Sequence, residues 1–240
     1  MTEKIRKLKE WTDAARRIVF FGGAGVSTES GIPDFRSTGG LYHQEWKYPP
    51  ETILSHTFYK SNPEEFFRFY RAKMLCPDAK PNAAHQKLAE WEREGKLLAV
   101  VTQNIDGLHQ AAGSQTVYEL HGSVLRNHCE RCGKFYDLNH ILHTDGVPRC
   151  SCGGIIKPDV VLYEEALDDR VVDGAVQAIA QADLLIVGGT SLSVYPAAGL
   201  LRYYRGGRLV LINRDPTPYD ERANLLIGGS IGKVLGAIAV

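Results

Sequence analysis

Six short apolar runs punctuate the chain: Ile18–Phe21, Leu97–Thr102, Val117–Leu120, Val160–Tyr163, Leu184–Val187 and Leu209–Ile212. They have the character of strands buried on both faces rather than of alternating, half-buried ones. Segments of helical pattern lie between many of them. Asn82–Arg93 follows Pro81, Asp169–Gln181 starts beside the cap candidates Asp168 and Asp169, and Pro196–Tyr204 begins on a proline suited to a first turn. The first seventeen residues place Ile5, Leu8 and Trp11 on one side of an amphipathic helix. Alternating strand and helix predicts a doubly wound α/β fold with a parallel sheet. In such sheets ligands sit beyond the carboxyl ends of the strands.

Two stretches break the alternation. Residues 42–80 are rich in aromatics and proline, with one clear helix opening at Asn62-Pro63-Glu64-Glu65. Residues 126–157 hold clustered cysteines and little that could form an apolar core. Both read as modules of a small domain inserted into the α/β domain, which comprises residues 1–41, 81–125 and 158–240.

The polar ends of the strands carry the candidate chemistry. The first strand runs into Gly22-Gly23-Ala24-Gly25-Val26-Ser27, a loop able to approach a pyrophosphate closely. A third glycine of the dinucleotide fingerprint would fall at Thr28, and Pro33 arrives where the following helix should still run. The acidic residue expected on a second strand is also missing, which disfavours a hydride-transfer dehydrogenase. The second strand ends in Gln103-Asn104-Ile105-Asp106, the third in His121-Gly122, and later ones in Gly189-Thr190-Ser191 and Asn213-Arg214-Asp215. Each alone fits a turn with self-satisfied side chains. Converging on one rim, they suit ribose, amide and phosphate contacts, with His121 placed as a general base.

Composition narrows the picture. Lys plus Arg and Asp plus Glu stand at 28 each, which argues against a binder that relies on a global positive field for nucleic acid. No apolar run approaches a membrane span, and the N-terminal stretch has no apolar signal region, so a cytoplasmic protein is expected. Four of the five cysteines fall in one cluster: Cys129 and Cys132 form C-x2-C, and Cys150 and Cys152 follow as C-x-C. That spacing predicts a closed, structural tetrahedral Zn²⁺ site, with His128, His140 and His143 near enough to substitute. Cys76 reads as a free, partly buried thiol.

Gly23-Ala24-Gly25-Val26-Ser27, Gly31-Ile32-Pro33-Asp34-Phe35-Arg36, Thr102-Gln103-Asn104-Ile105-Asp106, His121-Gly122, the four cysteines, Gly189-Thr190-Ser191-Leu192 and Asn213 occur in the order seen in sirtuins. The chain therefore resembles these NAD-dependent protein-lysine deacylases from about residue 15 to 232, in a short, core-only prokaryotic form. The resemblance implies a Rossmann-like domain, a small zinc-and-helix domain, and a cleft between them for NAD and acyl-lysine. Ala24, Gly25 and Ser27 would touch the pyrophosphate. Ile32, Asn104 and Asp106 would line the nicotinamide pocket, Phe35 would shield the reactive ribose carbon, and Arg36 would order the loop. Gln103 and His121 would meet the nicotinamide ribose, and Gly189, Ser191 and Asn213 would hold the adenosine side. Gly23, Asp34, Ile105, Thr190, Arg214 and Asp215 complete the expected NAD contacts, and Asn104 joins His121 as catalytic. The implied chemistry consumes NAD. Nicotinamide leaves, the acetyl oxygen attacks the ribose C1′, and His121 takes a proton through the ribose hydroxyls. The products are lysine, nicotinamide and 2′-O-acetyl-ADP-ribose.

An acyl-lysine peptide would add as a strand along Val160, Val161, Leu162 and Tyr163. The family often reads V-V-x-F-G-E there; here Tyr163 and Glu164 replace Phe and Gly. Relatives that accept succinyl groups carry a Tyr and, three residues on, an Arg. The best register puts Phe67 and Tyr70 at those positions, with Arg71 one place off, so acetyl or longer apolar acyl groups are expected. Protein mono-ADP-ribosylation and a zinc-ribbon nucleic-acid binder or NAD sensor are the competing readings.

Overall fold

The computed structural model describes residues 2–35, 39–43 and 45–238; Arg36, an expected NAD contact, lies outside them. Helix α1 (Glu3–Ala14) is capped by the Thr2 hydroxyl and leads to β1 (Ile18–Gly22). Short helices α2 (Pro50–Ile53), α3 (His56–Ser61) and α4 (Pro63–Phe69) follow. Next come α5 (Ala83–Arg93), β2 (Leu97–Thr102), α6 (Leu108–Ala111) and β3 (Val117–Glu119). The chain then enters β4 (Gly122–Cys129), β5 (Phe135–Tyr136), α7 (Leu138–Leu142) and β6 (Ile156–Val160). It closes with α8 (Asp169–Gln181), β7 (Leu184–Gly188), β8 (Leu209–Asn213), β9 (Leu225–Gly228) and α9 (Ile231–Gly236).

Six parallel strands form one sheet in the order β3-β2-β1-β7-β8-β9. This is the doubly wound Rossmann order, with its switch point between β1 and β7. The apolar runs are continuous because both faces are covered. Ile18 and Phe20 of β1 pack into the core beneath α1, α5 and α9, while Val19 and Phe21 pack into the opposite core against α8. At 25 cal/mol per Å², full burial of each such side chain contributes roughly 1.5–3 kcal/mol.

One expected strand is corrected. Val160–Tyr163 is not a parallel strand of the large sheet. Val160 ends β6, which pairs antiparallel with β4 in a separate three-stranded sheet, order β5-β4-β6. The chain passes from the large sheet to the small one at Gly122 (φ 77°), where a Cβ would collide with the Asp159 carbonyl. Sheet membership therefore changes at Gly122 and after Val160, a few residues from the expected divisions at 125 and 157. The expected helix at Pro196–Tyr204 is a 3-10 helix, Ala197–Tyr203.

The two inserted modules share one core. Tyr59, Phe66, Phe67, Phe69 and Tyr70 from the helical module pack with Cys129, Ile141, Cys150 and Ile156 from the cysteine-bearing module. Neither module carries enough apolar surface to stand alone.

Candidate active site and metal centre

The glycine loop is shaped first by its neighbour across the switch point. Gly25 N–H donates to the Gly189 carbonyl at 2.8 Å. A Cβ on Gly23 would lie 2.8 Å from Thr190 Cβ, and one on Gly25 would lie 2.8 Å from Gly189 Cα. Close loop-to-loop packing thus requires glycine here in addition to any approach by a phosphate. Beyond Gly23 the chain makes two 3-10 turns, Ala24–Val26 and Thr28–Ser30, instead of a long helix. Gly31 (φ 85°) then turns it, and Ile32 N–H closes back on the Ser27 carbonyl at 3.2 Å. This explains why Thr28 and Pro33 are tolerated: no helix continues there to break.

Ser27 is buried and sits at the centre of a polar knot. Its hydroxyl donates to Asp106 Oδ2 at 2.6 Å and accepts from Asn104 Nδ2 at 3.1 Å. Asp106 Oδ1 accepts from Leu108 N–H at 2.9 Å, and Asn104 N–H is held by Thr102 Oγ1 at 3.0 Å. The Ile105 carbonyl accepts from Val124 N–H at 2.9 Å. Nearby, the Asp34 and Phe35 carbonyls accept from Leu41 and Tyr42 N–H, and the Phe35 ring meets Tyr42 edge-on at 5.9 Å.

His121 Nδ1 lies 2.9 Å from the Gln103 carbonyl. A carbonyl only accepts, so Nδ1 carries the proton and Nε2 holds the free lone pair. Burial of the ring pulls its pKa below the ordinary histidine value, partly countered by the bond to Gln103. Nε2 is therefore an unprotonated base at neutral pH. The Gln103 side chain donates to Thr190 Oγ1 at 3.0 Å, tying the ends of β2 and β7 together.

On the far side, Asn213 Oδ1 accepts from Thr190 N–H at 3.1 Å, while its buried Nδ2 has no partner among the described residues. Ser191 and Ser193 hydroxyls lie 2.7 Å apart. Asn213, Thr190 and Ser191 line one cavity of about 610 Å³, together with Arg214, Asp215, Val160, Val161, Leu162 and Tyr163. The cavity opens over the switch point and beneath the small sheet. Its floor of packed glycines, the unspent Asn213 donor and the Ser27–Asn104–Asp106 knot fit a dinucleotide.

The expected peptide edge is held from behind. Val161 N–H donates to the His121 carbonyl at 3.0 Å. Tyr163 is paired on both backbone sides, its N–H to Leu54 O at 3.0 Å and its carbonyl from His56 N–H at 3.0 Å. The Tyr163 hydroxyl lies 2.9 Å from that of Tyr42. Tyr42 is a cavity residue that the sequence pattern did not single out, since it lies in an irregular aromatic stretch without period.

Phe67 and Tyr70 are both fully buried in the small-domain core and are not among the cavity-lining residues. Arg71 is committed elsewhere, donating to the Ile141 carbonyl at 2.9 Å and the Gly146 carbonyl at 2.6 Å.

The four clustered cysteines converge. Cys129 and Cys152 sulfurs lie 3.4 Å apart, Cys132 and Cys150 3.6 Å apart, and all four lie within 4.8 Å of one another. A tetrahedral ion with Zn–S bonds of about 2.3 Å sets its sulfurs about 3.8 Å apart, so the site fits zinc. The Cys152 N–H and the Tyr136 hydroxyl pull the Cys150 thiol down to about 5. Cys132, despite a Lys134 N–H that favours its thiolate, is pushed up to about 12 by the neighbouring sulfurs. Four sulfurs this close become thiolates together only around a cation. The nearby histidines do other work: His128 packs on Phe135, His140 on Tyr136, and His143 Nδ1 donates to Asn139 O at 2.8 Å.

A model of the Sir2 family matches residues 23–196. An NAD-dependent protein deacetylase of Clostridium acetobutylicum is 60% identical, with 99% of each chain covered. One from Clostridium perfringens is 61% identical at the same coverage. A solved structure of Sir2 with a p53 peptide and NAD+ superposes with a TM-score of 0.85 at 39% identity, covering 98% of this chain and 96% of that one. A Sir2 homologue bound to a propionylated peptide also gives 0.85, at 37% identity, covering 98% and 100%. A family match through both the glycine loop and the cysteine cluster, with such identity over nearly the whole length, means that the chain belongs to the Sir2 family.

Proposed function

We propose that this chain is an NAD-dependent protein-lysine deacetylase with His121 as its base. The observation that carries the reading is the orientation of His121. Gln103 fixes its Nδ1–H, leaving Nε2 as a base in a cavity whose other walls suit a dinucleotide. Bound NAD would supply the ADP-ribose that accepts the acetyl group, with release of nicotinamide and 2′-O-acetyl-ADP-ribose.

The chain's own residues divide the work. Gly23, Ala24 and Gly25 offer backbone at the switch point, where the two packed loops leave room for a pyrophosphate. Asn104 and Asp106, fixed through Ser27, present a rigid amide and carboxylate to the nicotinamide end, beside Ile32 and Ile105. Phe35 lines the cavity and would shield the ribose carbon from water, with Asp34 beside it as a further NAD contact. Gln103 orients His121, which holds a proton from the ribose hydroxyls at Nε2. Gly189, Thr190, Ser191, Asn213, Arg214 and Asp215 face the adenosine side, with Asn213 Nδ2 as the unspent donor.

An acyl-lysine peptide enters along Val160, Val161, Leu162 and Tyr163 as an added strand, between residues 42–80 and 126–157 on one side and the Rossmann-like domain on the other. With Phe67 and Tyr70 buried and Arg71 engaged, acetyl or longer apolar acyl groups are favoured over succinyl. The four cysteines hold one structural Zn²⁺. No helix among the described residues is long and apolar enough to cross a membrane. We read the protein as cytoplasmic, acting on acylated proteins and not on nucleic acid.

Incubation with an acetyl-lysine peptide, with and without NAD, tests the reading by mass. Loss of the acetyl mass only with NAD is expected. ADP-ribose on the peptide with the acetyl group intact would replace deacetylation by ADP-ribosyl transfer.

A further inference from the structure

Glu164 lies directly after the proposed peptide edge and adopts φ 77°. Only it and Leu192 (φ 55°) are non-glycine residues with positive φ among the described residues. An L-residue with a Cβ is strained in that region, whereas glycine is not. The strain persists only where surrounding contacts over-determine the backbone.

Those contacts are present, and all come from one place. Glu164 Oε2 accepts from Thr57 N–H at 2.9 Å and from Thr57 Oγ1–H at 2.7 Å. Its neighbours dock on the same turn. Ser55 forms a parallel bridge to Tyr163, and His56 Nδ1 lies 2.8 Å from Glu165 Oε1. Glu165 Oε2 reaches back to Leu162 N–H at 2.9 Å and Lys157 Nζ at 3.1 Å. Residues 163–165 are thus stapled to the start of α3 at three successive positions. The far end of α3 is anchored too: Tyr59 donates to Glu130 Oε2 at 2.9 Å and Lys60 to Glu130 Oε1 at 2.6 Å. Glu130 sits between Cys129 and Cys132 of the metal centre.

We infer that Glu164 and Thr57 are positioning residues for the acyl-lysine peptide: the two hydrogen bonds from Thr57 to Glu164 Oε2 hold residues 160–163 in the register that receives the added strand. This rests on the proposed assignment of 160–163 as the peptide edge. A glycine here would accept the turn without help; a glutamate accepts it only while Thr57 holds the carboxylate. The side chain thus converts a free hinge into a latched one. Because Thr57 belongs to α3, and α3 ends on the cysteine knuckle, the latch takes its position from the metal-bearing module.

The test compares Glu164→Ala, Glu164→Gly and Thr57→Val in full-length protein by steady-state kinetics on an acetyl-lysine peptide. Glu164→Ala keeps the strained Cβ and loses the latch, so peptide KM should rise roughly five- to tenfold. Glu164→Gly removes both strain and latch and should recover most of that loss. Thr57→Val keeps the backbone donor and should give a rise of roughly two- to threefold. NAD KM and kcat should stay within about twofold throughout, a split that general destabilisation would not produce. Equal peptide KM in Glu164→Ala and the unaltered protein overturns the latch, as does an equal rise in Glu164→Ala and Glu164→Gly.

Amide hydrogen exchange on the unaltered protein separates the two levels. Peptide protection of residues 160–165 together with an unchanged KM in Glu164→Ala rejects the latch alone. Absence of that protection rejects the peptide edge and the latch with it.

Discussion

The rim of the large sheet and the cysteine module hold their functional atoms in opposite ways. At the rim, polar groups from different strand ends fix one another. Ser27 after β1 bonds Asp106 after β2, Gln103 after β2 bonds Thr190 after β7, and Thr190 is held by Asn213 of β8. The geometry is set by a sheet buried on both faces. In the module, the sulfur of Cys129 at the end of β4 and three from loop residues converge with no such scaffold, beside a strand of only two residues. There a bound cation does what the sheet does at the rim. A rim built this way is preorganised before any ligand arrives, whereas the module is organised by its ligand.

The widest gap between the two regions should open on removing metal. Structural zinc contributes on the order of 10 kcal/mol to small metal-folded modules. Chelation, or Cys129→Ser, should therefore unfold β4–β5 and expose the core shared with α3 and α4. The parallel sheet should persist. Hydrogen exchange would show deprotection confined to residues near 50–75 and 125–157; uniform loss across β1, β2 and β7 would remove the distinction. Activity should vanish as well, because the peptide edge hangs from the same module.

At the rim the largest effect should come from His121→Ala. Loss of a positioned base costs about a hundredfold to ten-thousandfold in rate, while melting temperature should change little, since no core contact is lost. Turnover within tenfold of the unaltered protein would remove His121 from the mechanism. The pH profile gives a second reading. The base works when neutral, and burial lowers its pKa. Activity should therefore be retained as pH falls through 6.5, the ordinary histidine value, and be lost only at lower pH. An acid limb above pH 6.5 would contradict the burial argument.

Ser27→Ala should be milder. It leaves buried Asn104 Nδ2 without its acceptor and Asp106 Oδ2 without its donor. A buried group left unpaired costs about 1–3 kcal/mol, roughly a ten- to hundredfold effect. The loss should fall on NAD KM and nicotinamide release, with zinc content unchanged by metal analysis. If NAD KM did not move, the knot would be scaffolding only.

The sequence exposed the rim more fully than the module, for a physical reason. Runs such as Leu97–Thr102 are visible because both faces are buried, and β2 has those same bounds. Polar residues at their ends are conspicuous against that background. Asp168 as the cap of α8 was equally legible, because capping is local: its carboxylate accepts from Arg170 and Val171 N–H. By contrast, β4 reads GSVLRNHC, with an irregular burial pattern and a register shift between Ser123 and Asn127, so no period marks it. Val160–Tyr163 has the apolar run of a sheet strand, but only Val160 and Leu162 are buried, in the small-domain core, while Val161 and Tyr163 line the cavity. Burial was readable; which partner provides it depends on long-range pairing. The hydroxyl contact between Tyr42 and Tyr163 joins residues 121 positions apart and left no local trace.

The smallest effect should come where the two regions meet. Arg126 sits in the irregular part of β4 and reaches both ways: Nη1 donates to Glu119 Oε2 at 2.7 Å, and Nε donates to Asp159 Oδ2 at 2.8 Å. Glu119 ends β3 of the large sheet, two residues before His121, and Asp159 lies in β6 of the small one. Arg126 and Asp159 are more than a third exposed, at 43% and 47%, so solvent and salt screen the clamp. The Glu119 side chain is only 8% exposed, so that half should matter more. Arg126→Met should cost about 1 kcal/mol or less in stability and slow turnover a few-fold. Arg126→Lys should recover part of the rate, since a lysine serves one carboxylate but lacks the planar fork for two. Raising salt should shrink the difference between the unaltered protein and Arg126→Met. If the difference were independent of salt, the arginine would act by packing its stem across the junction, and the two sheets would be joined there by shape rather than by charge.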